Sequence, residues 1–571
     1  MESKSSPVTK DLQQLIAASH GLWSLDAAGL TRSQTAIPAL LHREAYVTET
    51  PRTRVLLLSG LSGEKADAAL ALNALKLYLD GGEALSDSVA LSAVPCGNPD
   101  GMALGVAPEN GAGGRPAENY PPVVGFFNDR RDPEQRYLWR WVGLQAPDLI
   151  LEVQAGEEVS WLSSASATLL SPTIEATRME EAAGSFLAAL GSHMANGLGA
   201  VPGLRLTVPA AALPEELSRL WSVLQQTPGL RNSPARRELY VRSTRPPLGI
   251  ARLIGTLYGH TLDPVVYTQG MSLSGRLRLA RLDPTYADPS AAIADIVAPY
   301  VDGDKPWFEG DPGTPALAGL IWAMQLAEST RDRRYADLAV QMADRYQSGA
   351  DGGAPPPSDP DFRTEDMFMN GAMLGRAFRL TGETRYLDLL TQFLLAARIQ
   401  QDDGLFWHAR STPWFWGRGN GFAALGYSET LTYLPDDHPD RPALIDQHVR
   451  HLEALRARQH PSGMYPQVLD TPGSYHEFTA TCMTGYAMAR ALRRGWLDAS
   501  YRESVDRAWR GVTERIDDAG GLVDCCTDTG AQDNLQAYLD RPAIFGRDNR
   551  GGGMAMWFAL EMEQLRRAQG T

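Results

Sequence analysis

A glycine-rich heptapeptide, WGRGNGF at residues 416–422, places an indole, a guanidinium and an amide close together, from Trp416, Arg418 and Asn420. The glycines between them allow the backbone to approach a ligand closely. A planar apolar face beside a rigid cationic fork suits a sugar ring that carries a carboxylate. For the heptapeptide alone, the alternative is the start of a glycine-rich helix with Trp416 in the core. The segments that precede it decide between the two.

An acidic residue fifty positions before Trp416, Asp366 in the segment EDMFM, could act as a general acid and base. Burial among Met367, Phe368 and Met369 would raise its pKa and keep it protonated near neutral pH. Asp366 also stands at the start of a helical pattern, where a carboxylate favours the helix dipole. A purely structural role at a helix N-terminus is therefore the alternative.

The composition of the chain excludes several classes of protein. Its 571 residues are too many for one ordinary core, and 43% hydrophobic with 21% charged residues is typical of a soluble globular protein. A net charge of −15 without any basic block argues against a nucleic-acid partner. The longest apolar run, from Met554 to Leu560, is far too short to span a membrane.

The cysteines and the N-terminus favour a cytoplasmic protein. The chain has four cysteines, Cys96, Cys482, Cys525 and Cys526, and none has metal-ligand spacing. The adjacent Cys525 and Cys526 would form a poor disulfide, so a reducing compartment fits best. The N-terminal segment lacks a charged region followed by an apolar signal region. No metal is expected, and a homo-oligomer is left open.

The periodicity of apolar residues divides the chain into two parts. Residues 1–275 alternate short apolar runs, such as RVLLLSG from Arg54 and PDLILEV from Pro147, with amphipathic segments, which predicts an α/β domain with a mostly parallel sheet. Residues 306–571 contain nine or ten recognisable helical segments, which suggests helical hairpins packed in a ring or array. The segment RLDPTYADPS breaks the pattern, so residues 276–305 are predicted to be a linker.

Seven segments of the second part occur in the order found in unsaturated glucuronyl and rhamnogalacturonyl hydrolases. They are GDPG, EDMFM, GLFWH, WGRGNGF, SYHEFTATCM, GGLVDCCTDTG and RDNRGGGMA. By these segments the second part resembles glycoside hydrolase family 105 and its relative, family 88. The resemblance implies an (α/α)6 barrel of twelve helices, with loops at one end lining a pocket for a terminal Δ4,5-unsaturated uronic acid.

The resemblance implies catalytic roles for three residues. Asp366 matches the general acid and base; hydration of an enol ether needs a proton at carbon-4 and activation of water at carbon-5, and one carboxyl group could do both in turn. Asp311 matches a second carboxylate that holds the substrate or orients the water, although with Pro312 it could also simply start a helix. His408 matches a histidine that contacts the sugar near the reacting carbons. A histidine that is hydrogen-bonded inside the core is the alternative there.

The resemblance also implies a substrate-binding set. Trp416 and Arg418 match the residues that stack on the sugar and bind its carboxylate, and arginine can grip a carboxylate bidentately where lysine cannot. Asn420 and Trp407 complete the predicted set.

The first part resembles zinc carboxypeptidases in the order of its motifs: GLSGEKADA, VPCGNPDG, FFNDRRDPEQRYLWRW and PDLILEVQAG. The positions of the metal ligands are occupied here by Ser62, Lys65 and Gln154, which are poor zinc ligands, so no catalytic metal is expected. The polar residues that remain could serve a degenerate module that binds an acidic or acylated part of the substrate: Asn98, Asn128, Arg130 and Arg131. The other interpretation is a scaffold.

The sequence as a whole predicts a two-domain glycoside hydrolase that needs no cofactor. Its expected substrate is an oligosaccharide, made by a polysaccharide lyase, with a terminal uronic acid that is Δ4,5-unsaturated in the preferred reading. Three alternatives stay open: a hydrolase of saturated terminal glucuronides, a zinc-type peptidase or amidase in the first part, and a non-catalytic sugar-binding protein.

Overall fold

The computed structural model of the protein describes residues 6–122, 127–167, 170–180, 184–192, 197–227 and 232–570. Phe126, with which one N-terminal motif begins, and the first five residues of the N-terminal segment lie outside these ranges. Contacts divide the chain into two compact units. The first comprises Met1–Ser243 with Thr471–Tyr475, and the second comprises Thr244–Asp470 with His476–Thr571.

The first unit is built on a sheet that has eight strands in the described residues. They are β1 (Trp23–Leu30), β2 (Ala36–His42), β3 (Thr53–Leu58), β4 (Val89–Val94), β5 (Leu149–Ala155), β6 (Ser160–Ser163), β7 (Thr177–Arg178) and β8 (Gly203–Val208). The strand order is β1-β2-β4-β3-β5-β8-β6-β7. The central strands β4, β3, β5 and β8 pair in parallel, and β1 and β2 form an antiparallel edge. Strands β3 and β4 are buried along their whole length, as their largely apolar sequences predict.

The helices of the first unit connect these strands. They are α1 (Thr9–Ala18), α2 (Lys65–Asp80), α3 (Gly82–Ser86), α4 (Pro99–Leu104), α5 (Pro133–Gln145), α6 (Ser171–Ile174), α7 (Phe186–Ser192), α8 (Leu213–Gln226) and α9 (Pro234–Ser243). Leu75 and Tyr78 of α2 and Leu220 of α8 share one hydrophobic core with strand residues such as Val55 and Leu151. The predicted α/β class with a mostly parallel sheet is confirmed.

The second unit is predominantly helical. Its helices are α10 (Pro247–Gly255), α11 (Tyr267–Leu282), α12 (Ser290–Val301), α13 (Thr314–Leu317), α14 (Ala323–Thr330), α15 (Arg333–Ala343), α16 (Thr364–Thr381), α17 (Arg385–Ala397), α18 (Gly417–Tyr433), α19 (Arg441–Arg458), α20 (Phe478–Arg494), α21 (Arg502–Glu514), α22 (Leu535–Leu539) and α23 (Asn549–Gln569). Short 3-10 turns cover Ala318–Leu320, Ala350–Gly352 and Ala499–Tyr501. Two small hairpins pair β9 (Tyr465–Pro466) with β10 (His476–Glu477), and β11 (Leu522–Cys526) with β12 (Ala543–Gly546).

Contacts between helices close the second unit into a ring. Within residues 244–570, α11 packs against α23, which packs against α20, then α18 and then α16; the segment from α13 to α14 joins α16 back to α11. Helices α10, α12, α15, α17, α19 and α21 each pack outside one or two of these inner segments. Six inner segments with six outer helices are the arrangement of an (α/α)6 barrel, so the predicted helical class is confirmed.

The first helices of the barrel lie earlier in the chain than the sequence predicts. The boundary between the two compact units lies after Ser243. The predicted linker 276–305 is largely helical, because it contains the end of α11 and the whole of α12. Helix α11 is buried on nearly all sides, so its sequence lacks the amphipathic pattern by which surface helices are recognised.

Close packing of two inner helices fixes the segment that carries Asp366. Gly426 of α18 lies so near α16 that an added Cβ would stand 2.4 Å from the carbonyl carbon of Met367. Only glycine allows this approach, and Met367 follows Asp366 directly.

Among the described residues, no helix is long and apolar enough to cross a lipid bilayer.

Candidate active site

The first turns of the inner helices carry most of the predicted site residues. Asp366 lies in the first turn of α16, and Trp416 immediately precedes α18, whose first turn contains Arg418 and Asn420. Glu477 caps α20 by accepting hydrogen bonds from the backbone of Thr479 and Ala480. These helix N-termini carry partial positive charge, which favours acidic groups and anions at this end of the ring.

Asp366 is only 4% exposed. One carboxylate oxygen accepts a short hydrogen bond from the Thr314 hydroxyl, and the other accepts the backbone N–H of Asp359 at 2.8 Å. Burial raises the pKa of Asp366 to about 7; the two hydrogen bonds lower the pKa, and the nearby charge of Glu365 raises it further. Asp366 can therefore hold a proton near neutral pH, as the sequence predicts.

Glu365, His408 and Tyr538 form a buried hydrogen-bonded chain next to Asp366. Nε2 of His408 lies 3.0 Å from both carboxylate oxygens of Glu365, and Nδ1 lies 2.5 Å from the hydroxyl of Tyr538. Burial favours a higher pKa for Glu365, but the charge of His408 and its hydrogen bond outweigh burial, and the pKa lies below its ordinary value. Two adjacent carboxyl groups thus have pKa values pushed in opposite directions, a pattern that separates an acid from a permanently charged partner.

Trp416 and Arg418 join the same cluster, but both side chains are fully buried. The ring centroid of Trp416 lies 4.6 Å from that of His408, and the guanidinium carbons of Arg418 and Arg541 lie 4.9 Å and 4.7 Å from the indole centroid. Arg418 donates to the carbonyl oxygens of Cys526 and Thr527, at 2.5 Å and 3.2 Å. Neither residue presents an open face in this structure.

Two buried donors of this pair are not used by the protein. Trp416 Nε1 and Arg418 Nε have no hydrogen-bond partner within the described residues. Buried donors normally have partners, so these two are available to an acceptor from a ligand that displaces the surrounding groups.

Asn420 and Trp407 are placed differently from the prediction. The amide of Asn420 is committed to the protein: it accepts the N–H of Phe406 and donates to the carbonyl oxygens of Phe406 and Trp416, at 2.9–3.1 Å. It therefore ties the GLFWH segment to α18. Trp407 is half-buried against a separate hydrophobic cluster that includes Phe362.

Asp311 is not brought to this cluster. Its side chain is fully exposed, and its contact is a 3.5 Å ion pair with Arg345. Thr314, three residues later, is the member of this segment that reaches Asp366. Asp311 lies in the loop before α13, directly after Gly310, which has a φ of +100°.

Sequence reasoning missed three members of the cluster: Glu365, Thr314 and Tyr538. Glu365 could have been found, because it stands beside Asp366 in a motif already singled out. Tyr538 lies 130 residues from His408 along the chain and carries no local signal.

In the first unit, two of the three residues that stand where zinc carboxypeptidases carry their metal ligands are hydrogen-bonded to carboxylates of the protein. The Ser62 hydroxyl donates to Asp67 at 3.1 Å, the Gln154 amide donates to Glu152 at 2.9 Å, and Lys65 is exposed at the start of α2. Among the described residues, no group of three or more His, Cys, Asp or Glu side chains could hold a metal ion.

Fold and site together define a helical-barrel protein with a buried carboxyl group able to donate a proton. The family model of Glycosyl Hydrolase Family 88 matches residues 265–566, more than half of the chain. The chain belongs to this family, which confirms the predicted relationship for the second part.

Two curated relatives are 27% identical to the chain. One is the unsaturated 3S-rhamnoglycuronyl hydrolase of Alteromonas sp. (strain LOR), matched over 169 residues, which are 27% of this chain and 41% of that protein. The other is the unsaturated rhamnogalacturonyl hydrolase YesR of Bacillus subtilis (strain 168), matched over 210 residues, 35% of this chain and 58% of that protein. The chain thus spans about half the length of these relatives.

Two solved structures are similar to portions of the chain at low identity. A family 105 glycoside hydrolase from C. acetobutylicum ATCC 824 is 20% identical with a TM-score of 0.49, covering 55% of this chain and 99% of that chain. A metallo-carboxypeptidase from Burkholderia cenocepacia is 17% identical with a TM-score of 0.32, covering 38% of this chain and 68% of that chain.

Proposed function

We propose that the second unit removes a terminal Δ4,5-unsaturated uronic acid from an oligosaccharide produced by a polysaccharide lyase. Asp366 is the general acid and base. It donates its proton to carbon-4 of the enol ether, and the resulting carboxylate accepts a proton from the water whose oxygen bonds to carbon-5. The observation that carries the proposal is the burial of this carboxyl group, only 4% exposed, which raises its pKa to about 7 and allows both forms to exist near neutral pH.

The neighbouring chain of Glu365, His408 and Tyr538 supports this role. Glu365 remains ionised beside Asp366, and its charge favours the protonated form of Asp366. His408 is fully buried and its two ring nitrogens are hydrogen-bonded to Glu365 and Tyr538, so we assign to it the orientation of Glu365 beside Asp366 instead of the predicted contact with the sugar. We assign to Arg418 and Trp416 the binding of the sugar carboxylate. This binding requires the two buried donors to become accessible when substrate enters. We propose no catalytic role for Asp311, because its carboxylate points to solvent.

The test compares the parent protein with Asp366→Asn on unsaturated disaccharides from several lyases. The parent should abolish the ultraviolet absorbance of the enol ether, whereas the variant should bind the same disaccharide, measured by calorimetry, and lose activity by at least about a hundredfold. A parent that is inert toward every unsaturated uronide contradicts the proposal. Release of sugar from saturated glucuronides alone would assign the barrel to the saturated substrate.

The location of the enzyme remains a prediction. All four cysteines are buried and free, as expected in the cytoplasm, where we propose that the protein acts on imported oligosaccharides.

A further inference from the structure

A cavity of about 320 Å³ lies at the end of the barrel opposite the candidate active site. It is lined by residues near the C-terminal ends of α11, α16, α18 and α20, and the last three of these helices carry the candidate active site at their N-terminal ends. Arg376 in this cavity lies ten residues beyond Asp366 on α16, which places the two about 15 Å apart along the helix axis. The proposed reaction does not use this cavity.

The lining of this cavity is strongly cationic. Seven arginines line it, against two glutamates, Glu328 and Glu429. A third carboxylate, Glu561, lies beneath the lining in contact with Arg490 and Arg493. Four positive charges thus remain uncompensated in a chain whose net charge is −15.

The buried carboxylates fix the guanidinium groups instead of neutralising them one by one. Glu429 is shared by Arg376 at 3.0 Å and Arg490 at 3.1 Å. Glu561 is shared by Arg490 at 2.8 Å and Arg493 at 2.7 Å. Each carboxylate therefore orients two guanidinium groups in a low-dielectric environment, where an uncompensated positive charge is costly.

Two further observations indicate that some cationic donors of the site are not used by its carboxylates. Arg376 is 3% exposed, and its Nε has no hydrogen-bond partner within the described residues. Arg494 forms no ion pair or hydrogen bond with the described residues, and burial together with neighbouring Arg493 and Arg490 lowers the pKa of its guanidinium. Helix C-termini favour arginines in their last turn, but Arg376 stands more than one turn before the end of α16.

We propose that this cavity binds a small multivalent anion that carries phosphate groups or several carboxylates. Guanidinium groups recognise both through paired N–H donors, and several in one cavity favour a ligand with more than one charge. A volume near 320 Å³ is at the lower end for ligand sites and fits a molecule of the size of pyrophosphate, citrate or a sugar phosphate.

Calorimetric titration of the full chain with inorganic pyrophosphate and, separately, with citrate tests this proposal. The parent should show saturable binding of at least one probe with a stoichiometry near one. A preference for pyrophosphate identifies phosphate as the recognised group, and a preference for citrate identifies carboxylates. Absence of saturable binding of both probes at millimolar concentration overturns the proposal.

Matched variants locate the binding. Arg379→Gln with Arg494→Gln removes two lining charges and should weaken binding by about tenfold or more, because each contributes charge-assisted hydrogen bonds. The control is Arg333→Gln, which removes an arginine that is 88% exposed on α15, away from the cavity. Equal affinity in the double variant and the parent, or equal weakening in the control, would overturn the assignment; a thermal unfolding scan verifies that all three proteins are folded.

Discussion

At the scale of single residues, the protonation state of Asp366 governs the expected pH dependence. The proposed first step needs the protonated carboxyl group, and burial sets its pKa at about 7. The protonated fraction of Asp366 falls as the pH rises through that value, so kcat/KM should fall by about tenfold for each pH unit above roughly 8. A pH–rate profile of the parent between about pH 5 and 9 measures this. A rate that keeps rising above pH 8 would mean that Asp366 does not deliver the proton.

The hydroxyl of Tyr538 supports the imidazole of His408 from the side opposite Glu365. Tyr538→Phe leaves Nδ1 of His408 buried without this partner, which should lower the free energy of unfolding by about 1–3 kcal/mol. Because a free imidazole ring can rotate away from Glu365, kcat should fall more than KM rises. Denaturant titration and steady-state kinetics measure the two effects.

The matched control for this change is Tyr240→Phe, at an exposed tyrosine of the first unit. It should alter neither stability nor kinetics. A Tyr538→Phe protein that is as stable and as active as the parent would show that the hydroxyl does not hold His408.

At the scale of elements, the contact between α16 and α18 sets the position of Asp366, whose carboxyl group we propose to be catalytic. In an open helix, Gly→Ala stabilises by roughly 0.5–1 kcal/mol. At Gly426 the sign should reverse, because the added methyl group meets the backbone of Met367 at 2.4 Å, and backbone cannot move aside as a flexible side chain can. Gly426→Ala should destabilise by about 1–3 kcal/mol and reduce activity, since Asp366 precedes Met367.

Gly530→Ala is the control for Gly426→Ala, because its added methyl group would meet open space. Thermal unfolding and the enol-ether assay distinguish the two variants. If Gly426→Ala is as stable as the Gly530→Ala protein, the helices are not packed as closely as the structure indicates.

The elements also show what the sequence can and cannot predict. Strands β3 and β5 and the start of α16 follow from local patterns, because short apolar runs and acidic first turns are properties of short segments. Helix α11 was not predicted from the sequence, because burial on nearly all sides removes the amphipathic pattern. Tyr538 and Thr314 reach the site only because the ring closes, and no short segment of sequence records that closure. The sequence also did not predict the full exposure of Asp311, since the motif GDPG is compatible both with a surface loop and with a substrate-binding position.

At the scale of the whole molecule, the two units differ in what their cores can support. The barrel gathers a buried protonatable carboxyl group and a hydrogen-bonded histidine, whereas the first unit uses the polar groups at its degenerate metal positions within the protein. Asn98, one of the polar residues that could serve a degenerate binding module, likewise caps α4 by accepting from the backbone N–H of Gly101 and donates to the carbonyl oxygen of Glu109. This favours a scaffold over a second catalytic centre for the first unit.

Metal removal distinguishes this interpretation from a peptidase in the first unit. Serine and glutamine at positions 62 and 154 are poor zinc ligands, and both side chains are hydrogen-bonded to carboxylates of the protein. Treatment of the full chain with EDTA should therefore leave both the unfolding midpoint and the enol-ether activity unchanged, because neither depends on a bound ion. Elemental analysis of the purified protein provides the decisive measurement. One equivalent of zinc that is lost in a Ser62→Ala variant, together with EDTA-sensitive cleavage of peptides, would transfer a catalytic role to the first unit and leave the barrel activity as a separate question.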